Sequence, residues 1–232
     1  MTASPLALSP AARPVWERFG AEGQPLLVVD DALADPGLVV EIAARHSYRP
    51  IGPFYPGVRA AVSQAIVMPL VEPLLEDLAE GFALPAAPSY FECFLSLVTT
   101  PPEALAPIQR LPHFDGTEAD RIAVLLYLDR AERGGTAFYR QHRTGFESVS
   151  AERFDHYREV LAEEVDRHGL PPASYIDGDT AQFERIHEVA GRFNRMVIYR
   201  GNSLHCAALR PGFVPDTNPA SGRLTLNLFL RA

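Results

Sequence analysis

The richest chemistry in this sequence sits in Leu-Pro-His-Phe-Asp-Gly at 111–116. His113 and Asp115 stand at i and i+2, and in an extended segment residues two apart share a face. An imidazole and a carboxylate converging there can hold two positions of a divalent metal. Much later, the strand-like stretch RMVIYRGNSLH ends on His205. Two His and one carboxylate that leave other positions open form the facial triad suited to non-haem Fe(II). Taken alone, a His-x-Asp pair reads as a turn with an N-capping Asp and a surface His. The surrounding order of elements favours the metal reading.

Those elements can be read along the chain. Residues 1–24, rich in Ala, Pro and Ser, read as a surface segment, and PLLVVDD (25–31) as a strand. Asp35 as N-cap and Pro36 at the first helical position predict a helix with Leu38, Val39, Ile42 and Ala43 on one face. Pro and Gly recur through 49–62, which reads as loop. Val67–Phe82 predicts a helix with apolar Leu70, Leu74, Leu75 and Leu78, kinked or started near Pro69 or Pro73. After Pro88 the texture turns to strand: YFECFLSLVT (90–99), IAVLLYL (122–128), TAFY (136–139), the stretch 183–200 with a turn near Asn194, and RLTLNLFL (223–230). Residues 101–112 are a Pro-rich loop, and 132–135 a turn. Residues 150–168 return to helical spacing, with Ser150 as N-cap and Gly169 as stop. Short strands with Gly/Pro turns predict a mostly β protein with flanking helices, an antiparallel sandwich or jelly roll. The expected organisation is one domain over 1–232: an N-terminal extension (1–87) whose helices pack on a core (88–232) carrying a helical insert near 150–169.

The order His-x-Asp, apolar strand ending Leu126-Tyr127-Leu128-Asp129, Gly134-Gly135-Thr136-Ala137-Phe138, late His, then Arg223-x-Thr225 resembles the 2-oxoglutarate/Fe(II) oxygenase superfamily, especially its prolyl-hydroxylase-like branch. Over 88–232, the runs GGTAFYRQHRTGFE (134–147) and FNRMVIYRGNSLH (193–205) are similar to a bacterial family of uncharacterised 2-oxoglutarate oxygenase-like proteins. The resemblance implies a double-stranded β-helix (jelly-roll) core, with His113, Asp115 and His205 as ligands of Fe(II). It implies Arg223 as the partner of the distal carboxylate of 2-oxoglutarate, a role suited to a guanidinium fork. Tyr127 matches a tyrosine that bonds the same carboxylate in some relatives; the other reading is a core tyrosine. Thr225 and Asn227 alternate with Arg223 and so line the same face. The gap from His205 to Arg223 is longer than in many prolyl hydroxylases, and Arg210 in the intervening loop is the competing anchor. The implied activity is a dioxygenase that uses O2 and hydroxylates an unidentified small-molecule or peptide substrate with release of succinate and CO2. The alternative is a non-catalytic metal- or ligand-binding jelly roll that assists another enzyme.

Composition narrows the field further. The 232 residues carry 21 basic and 29 acidic side chains, a net −8, and every basic one is Arg. Without lysine there is no Schiff base, pyridoxal-phosphate, P-loop or kinase-type lysine chemistry. The acidic balance argues against nucleic acid as a partner. No apolar run approaches the ~20 residues of a membrane span, and no secretory leader is apparent, so a reducing cytoplasm is the expected location. Gly201-x-Ser203 runs on to His205 rather than Gly, so there is no nucleophile elbow. Cys93 and Cys206 make no disulfide framework, and Cys206 is expected to pack on the face opposite His205. The insert at 140–192 is expected to cover part of the pocket mouth, with His142 and Arg143 as possible substrate contacts there. His46, His156, His168 and His187 read as surface or structural residues.

Overall fold

The computed structural model describes residues 4–209 and 212–232. Within them lie β1 (Arg13–Phe19), β2 (Gln24–Asp30), β3 (Gly57–Ala61), β4 (Ser89–Val98), β5 (Arg121–Tyr127), β6 (Gly134–Gln141), β7 (Phe183–Val189), β8 (Met196–Arg200), β9 (His205–Leu209) and β10 (Leu224–Arg231). A major sheet runs in the order β1-β2-β8-β5-β10-β4-β3 and a minor one in the order β7-β6-β9. Every pairing is antiparallel. This is the jelly roll that the strand pattern predicts.

The two faces of the major sheet are written in the alternation of its strands. On β10, Leu224, Leu226, Leu228 and Leu230 pack outward with Ile122, Val124, Leu126, Met196 and Ile198. Burying each such side chain stabilises by about 1.5–3 kcal/mol relative to exposure. This outer core is completed by Val39, Val40 and Ala43 of α1 (Pro36–Ala43) and by Val67, Leu70, Leu74 and Leu78. The inner face carries Tyr127, Leu125, Val197, Tyr199 and Phe229, packed against Phe138 and Val189 of the minor sheet. Thr225 and Asn227 alternate with those leucines and belong to this inner face.

Four expectations change. Residues 13–19 form β1, an edge strand along β2 with six of its seven residues exposed, so exposure and strand coincide. Residues 57–61 form β3, which pairs with β4 despite the Pro/Gly-rich context. The apolar stretch 67–82 is split into α2 (Gln64–Val67), two 3-10 turns (Met68–Leu70, Glu72–Leu74) and α3 (Leu75–Gly81). Pro69 and Pro73, lacking an N–H, each begin a new turn. In α1 the Asp35 Oδ1 accepts from Leu38 N at 2.9 Å as expected, but Val40 is buried and Leu38 exposed. Three of the seven major-sheet strands therefore come from before residue 88.

The helix predicted at 150–168 is α4 (Ala151–His168), closed by Gly169 at φ 77°. It covers the outer side of the minor sheet, where Tyr157 packs with Leu111, Tyr139, Val149, Phe183, Leu204 and Cys206. The helix thus backs the site instead of covering its mouth. No helix among the described residues is long and apolar enough to cross a membrane.

Candidate metal centre and adjoining pocket

His113 and His205 are fixed to each other by their backbones. His113 N donates to His205 O and His205 N to His113 O, both at 2.8 Å, so the His-x-Asp segment joins the minor sheet beside β9. Asp115 N donates to Gly201 O at 2.7 Å, and Arg121 Nη1 to Asp115 O at 2.7 Å. Between the two candidate ligands, Phe114 turns the other way. It meets Phe154 and Tyr157 of α4 edge-on, with ring centroids 6.2 and 5.9 Å apart. The insert helix thereby props the loop from behind.

Nε2 of His113 lies 3.9 Å from Asp115 Oδ1, and Nε2 of His205 lies 3.6 Å from Asp115 Oδ2. One ligand atom from each of the three residues falls within 4.8 Å of the others. Cis ligands on an octahedral ion with ~2.1 Å bonds are about 3 Å apart, so a small inward adjustment completes a metal site. His205 Nδ1 lies 2.8 Å from the Ser203 carbonyl. That contact requires the proton on Nδ1 and leaves the Nε2 lone pair for a metal. Tyr199 packs edge-on to the His205 ring at 4.9 Å. The enclosing protein, with the nearby His205 and Arg59, pushes His113 below the usual imidazole range, although its side chain is about half exposed. Burial raises Asp115, against the opposing pull of His205, Arg59 and Arg121.

Next to this triad, one row of the inner face is polar. Cross-strand register aligns Arg59 of β3 with Ser96 of β4, Ser96 with Thr225 of β10, and Thr225 with Tyr127 of β5. Arg223, two residues before Thr225, is 4% exposed. Its Nη2 donates to Gly135 O at 3.0 Å, and no carboxylate among the described residues lies within 4.0 Å of it. Gly135 is required there, since a Cβ would collide with the Val189 carbonyl. Tyr127 Oη and Thr136 Oγ1 share a 2.6 Å hydrogen bond, and burial pushes the Tyr127 phenol up to about 12. Thr225 Oγ1 donates to Asn227 Oδ1 at 2.8 Å.

Several buried polar atoms on this face have no partner: Tyr55 Oη, Arg59 Nε, Ser96 Oγ, Asp115 Oδ2 and Arg223 Nε. Orphaned buried groups are costly and need a reason. A cation at Asp115 and a carboxylate at Arg223 supply one, so the residues fit a metal together with a dicarboxylic keto acid.

Sequence reasoning thus names Arg223, Tyr127, Thr225 and Asn227 of the inner face but misses Arg59, Tyr55, Ser96 and Thr136. Thr136 lay inside the quoted Gly-Gly-Thr run; for Arg59 and Tyr55 the segment gave no strand signal. Arg210 falls outside the described residues. Cys206 packs beside Tyr139 on the face away from His205, as expected. His142 approaches the Thr180 carbonyl at 3.3 Å, and Arg143 pairs with Glu163 of α4 at 2.8 Å. Tyr175, past α4, donates to Thr100 O at 2.7 Å.

A family model described as "Family of unknown function (DUF6445)" matches residues 10–230. No curated protein matches the sequence. Among solved structures, HygX from Streptomyces hygroscopicus with nickel, 2-oxoglutarate and hygromycin B bound is 11% identical, with a TM-score of 0.50 over 90% of this chain and 83% of its own. A prolyl-4-hydroxylase from Pseudomonas putida is 15% identical, with a TM-score of 0.46 over 90% of this chain and 94% of its own. At such identities the likeness to HygX is one of fold, the jelly roll described above.

Proposed function

We propose that this chain, which belongs to the DUF6445 family, is an Fe(II)- and 2-oxoglutarate-dependent oxygenase that hydroxylates a C–H bond of an organic substrate and releases succinate and CO2. One observation carries the reading: His113, Asp115 and His205 each offer a ligand atom within 4.8 Å of the others. The buried, carboxylate-free Arg223 on the adjoining face supports it, as does the shared fold of HygX, whose structure holds 2-oxoglutarate and nickel.

Bound iron would supply the chemistry that couples oxidative decarboxylation of the keto acid to C–H oxidation. The chain's own residues account for the rest. Ser203 O holds the Nδ1 proton of His205, keeping Nε2 free and the ring oriented. The surroundings of His113 disfavour the imidazolium and so favour the neutral ring whose lone pair a metal needs. Asp115 supplies the negative charge that the two imidazoles lack. Arg223 would take the distal carboxylate of 2-oxoglutarate, its reach set by the hydrogen bond to Gly135 O. The Tyr127 hydroxyl stands on the same face and can donate to that carboxylate when Thr136 Oγ1 is the donor of their shared hydrogen bond, while Thr225, its proton given to Asn227 Oδ1, lines the row. Leu125, Phe138 and Tyr199 keep bulk water out, which strengthens each polar contact inside.

The test is anaerobic addition of Fe(II) and 2-oxoglutarate to the purified protein, watching for the weak visible charge-transfer band of the chelate. The band appears in the wild type and vanishes in His113→Ala. No band and no retained iron would overturn the proposal.

A further inference from the structure

Arg59 is a cation that no carboxylate among the described residues contacts directly. It sits on β3 at the edge of the major sheet, in the inner-face row Arg59–Ser96–Thr225–Tyr127. Its guanidinium carbon lies 4.1 Å from the centroid of Tyr55 and 5.2 Å from that of Phe94. No carboxylate among the described residues approaches within 4.0 Å, and its buried Nε has no partner. It shares the inner face with the orphaned Ser96 Oγ and faces the same interior as Arg223 and Tyr127. Glu92 acts on it only from farther off. Arg223 lies two strands away, roughly 10 Å across the sheet. The two arginines are thus anchored at separate places on the sheet.

A charge count gives Arg59 a purpose. With Fe(II) and dianionic 2-oxoglutarate bound, Asp115 and Arg223 bring the formal charge of the site to zero, and Arg59 remains as an uncompensated positive charge. A guanidinium cannot shed its proton to relieve this. Two aromatic rings lie close to the guanidinium, and its buried Nε has no partner, so the planar N–H fork is free of protein acceptors there. That geometry matches a planar carboxylate bidentately.

We propose that Arg59 is a second anion subsite that takes a carboxylate of the organic substrate, making the substrate class organic acids. The word substrate rests on the oxygenase reading; the anion subsite rests on Arg59 alone.

The experiment is calorimetric titration of the Mn(II)-loaded, 2-oxoglutarate-saturated protein with benzoate and with its neutral isostere benzamide. The wild type binds benzoate, R59M binds it at least tenfold more weakly, and benzamide binds neither well. Absence of benzoate binding in the wild type, equal benzoate affinity in R59M, or equal affinity for benzamide would overturn the subsite. A more than tenfold loss of 2-oxoglutarate affinity in R59M, with benzoate competing against 2-oxoglutarate, would hand Arg59 to the keto acid's own 1-carboxylate and overturn the substrate assignment. If the wild type takes up no 2-oxoglutarate yet binds benzoate through Arg59, the oxygenase reading fails while the anion subsite stands. Thermal unfolding of R59M checks that it folds. Should it not, R59K, which keeps the charge and loses the fork, replaces it, with severalfold weaker benzoate binding as the supporting result and unchanged binding as the overturning one.

Discussion

Replacing Arg223 by Met separates ligand binding from stability. Arg223 is 4% exposed and its only hydrogen bond among the described residues goes to Gly135 O. A bidentate pair with the distal carboxylate of 2-oxoglutarate consists of two charge-assisted hydrogen bonds. Each is worth about 1.5–3 kcal/mol, so their joint loss costs about 3–6 kcal/mol. At 1.4 kcal/mol per decade this raises the Kd by roughly two to four orders of magnitude. Iron binding, which involves none of these atoms, stays within about threefold. Stability moves the opposite way from a simple loss of contacts. The wild type keeps a desolvated, carboxylate-free guanidinium, a penalty of several kcal/mol. A methionine of similar length loses one hydrogen bond and removes that penalty. Ligand-free R223M should therefore unfold within about 1 kcal/mol of the wild type or later. The assay is anaerobic titration of the iron-loaded protein with 2-oxoglutarate, followed in the visible band, beside thermal unfolding without ligand. A 2-oxoglutarate Kd within threefold of the wild type would refute the anchor and redirect the search to Arg210.

Other perturbations read other links. Phe114→Ala removes the ring that ties the His-x-Asp loop to α4, so metal affinity should fall by about 10–100-fold, as for lost supports of a ligand shell; unchanged metal affinity in a folded variant would mean that the backbone bridge to β9 holds the loop unaided. Tyr127→Phe leaves Thr136 Oγ1 without its 2.6 Å partner and takes a donor from the pocket, so 2-oxoglutarate should bind about tenfold more weakly with iron binding intact. Glu22 anchors the β1–β2 turn to Ser148 and Arg153. Burial raises its carboxyl, but those hydrogen bonds outweigh this and hold it below its usual value. With the folded value depressed, its stabilisation is complete above the unfolded value near 4.5 and is lost as pH falls through the folded one. Glu22→Gln should therefore be less stable than the wild type by about 1–3 kcal/mol at pH 7, and the difference should shrink in acid; a difference constant with pH would exclude the carboxylate as its source.

What could be read from the sequence divides along physical lines. His113, Asp115 and His205 were legible through the order of the elements around them: a lone His-x-Asp pair reads as a turn, and the resemblance carried by that order is what joins it to the late His205. The strands β5 and β10 were legible because both of their faces are buried or alternate strictly. β3 was not, for three reasons: it is five residues long, it lies at a sheet edge, and it is reached through Gly52, Pro53 and Pro56. Its strand character comes from pairing with β4, which no local pattern records. The position of α4 was missed for a related reason. Its apolar stripe says that it must cover something, and only the tertiary arrangement says that it covers the back of the metal loop.

Arg59 shows why such misses fall at the site. In sequence it is one of 21 arginines in a lysine-free chain, with nothing to separate it from the others. In the fold it shares a register row with Ser96, Thr225 and Tyr127, and it differs from the ion-paired surface arginines by having no carboxylate. A lysine buried in its place could lose its proton and become neutral; an arginine stays charged. Placing a buried Arg223 and a half-buried Arg59 on one face, with no contacting carboxylate among the described residues, is unfavourable for the isolated protein, so local reasoning gives no cause to expect it. It becomes intelligible once two separate anions are expected to arrive there, one at Arg223 and one at Arg59.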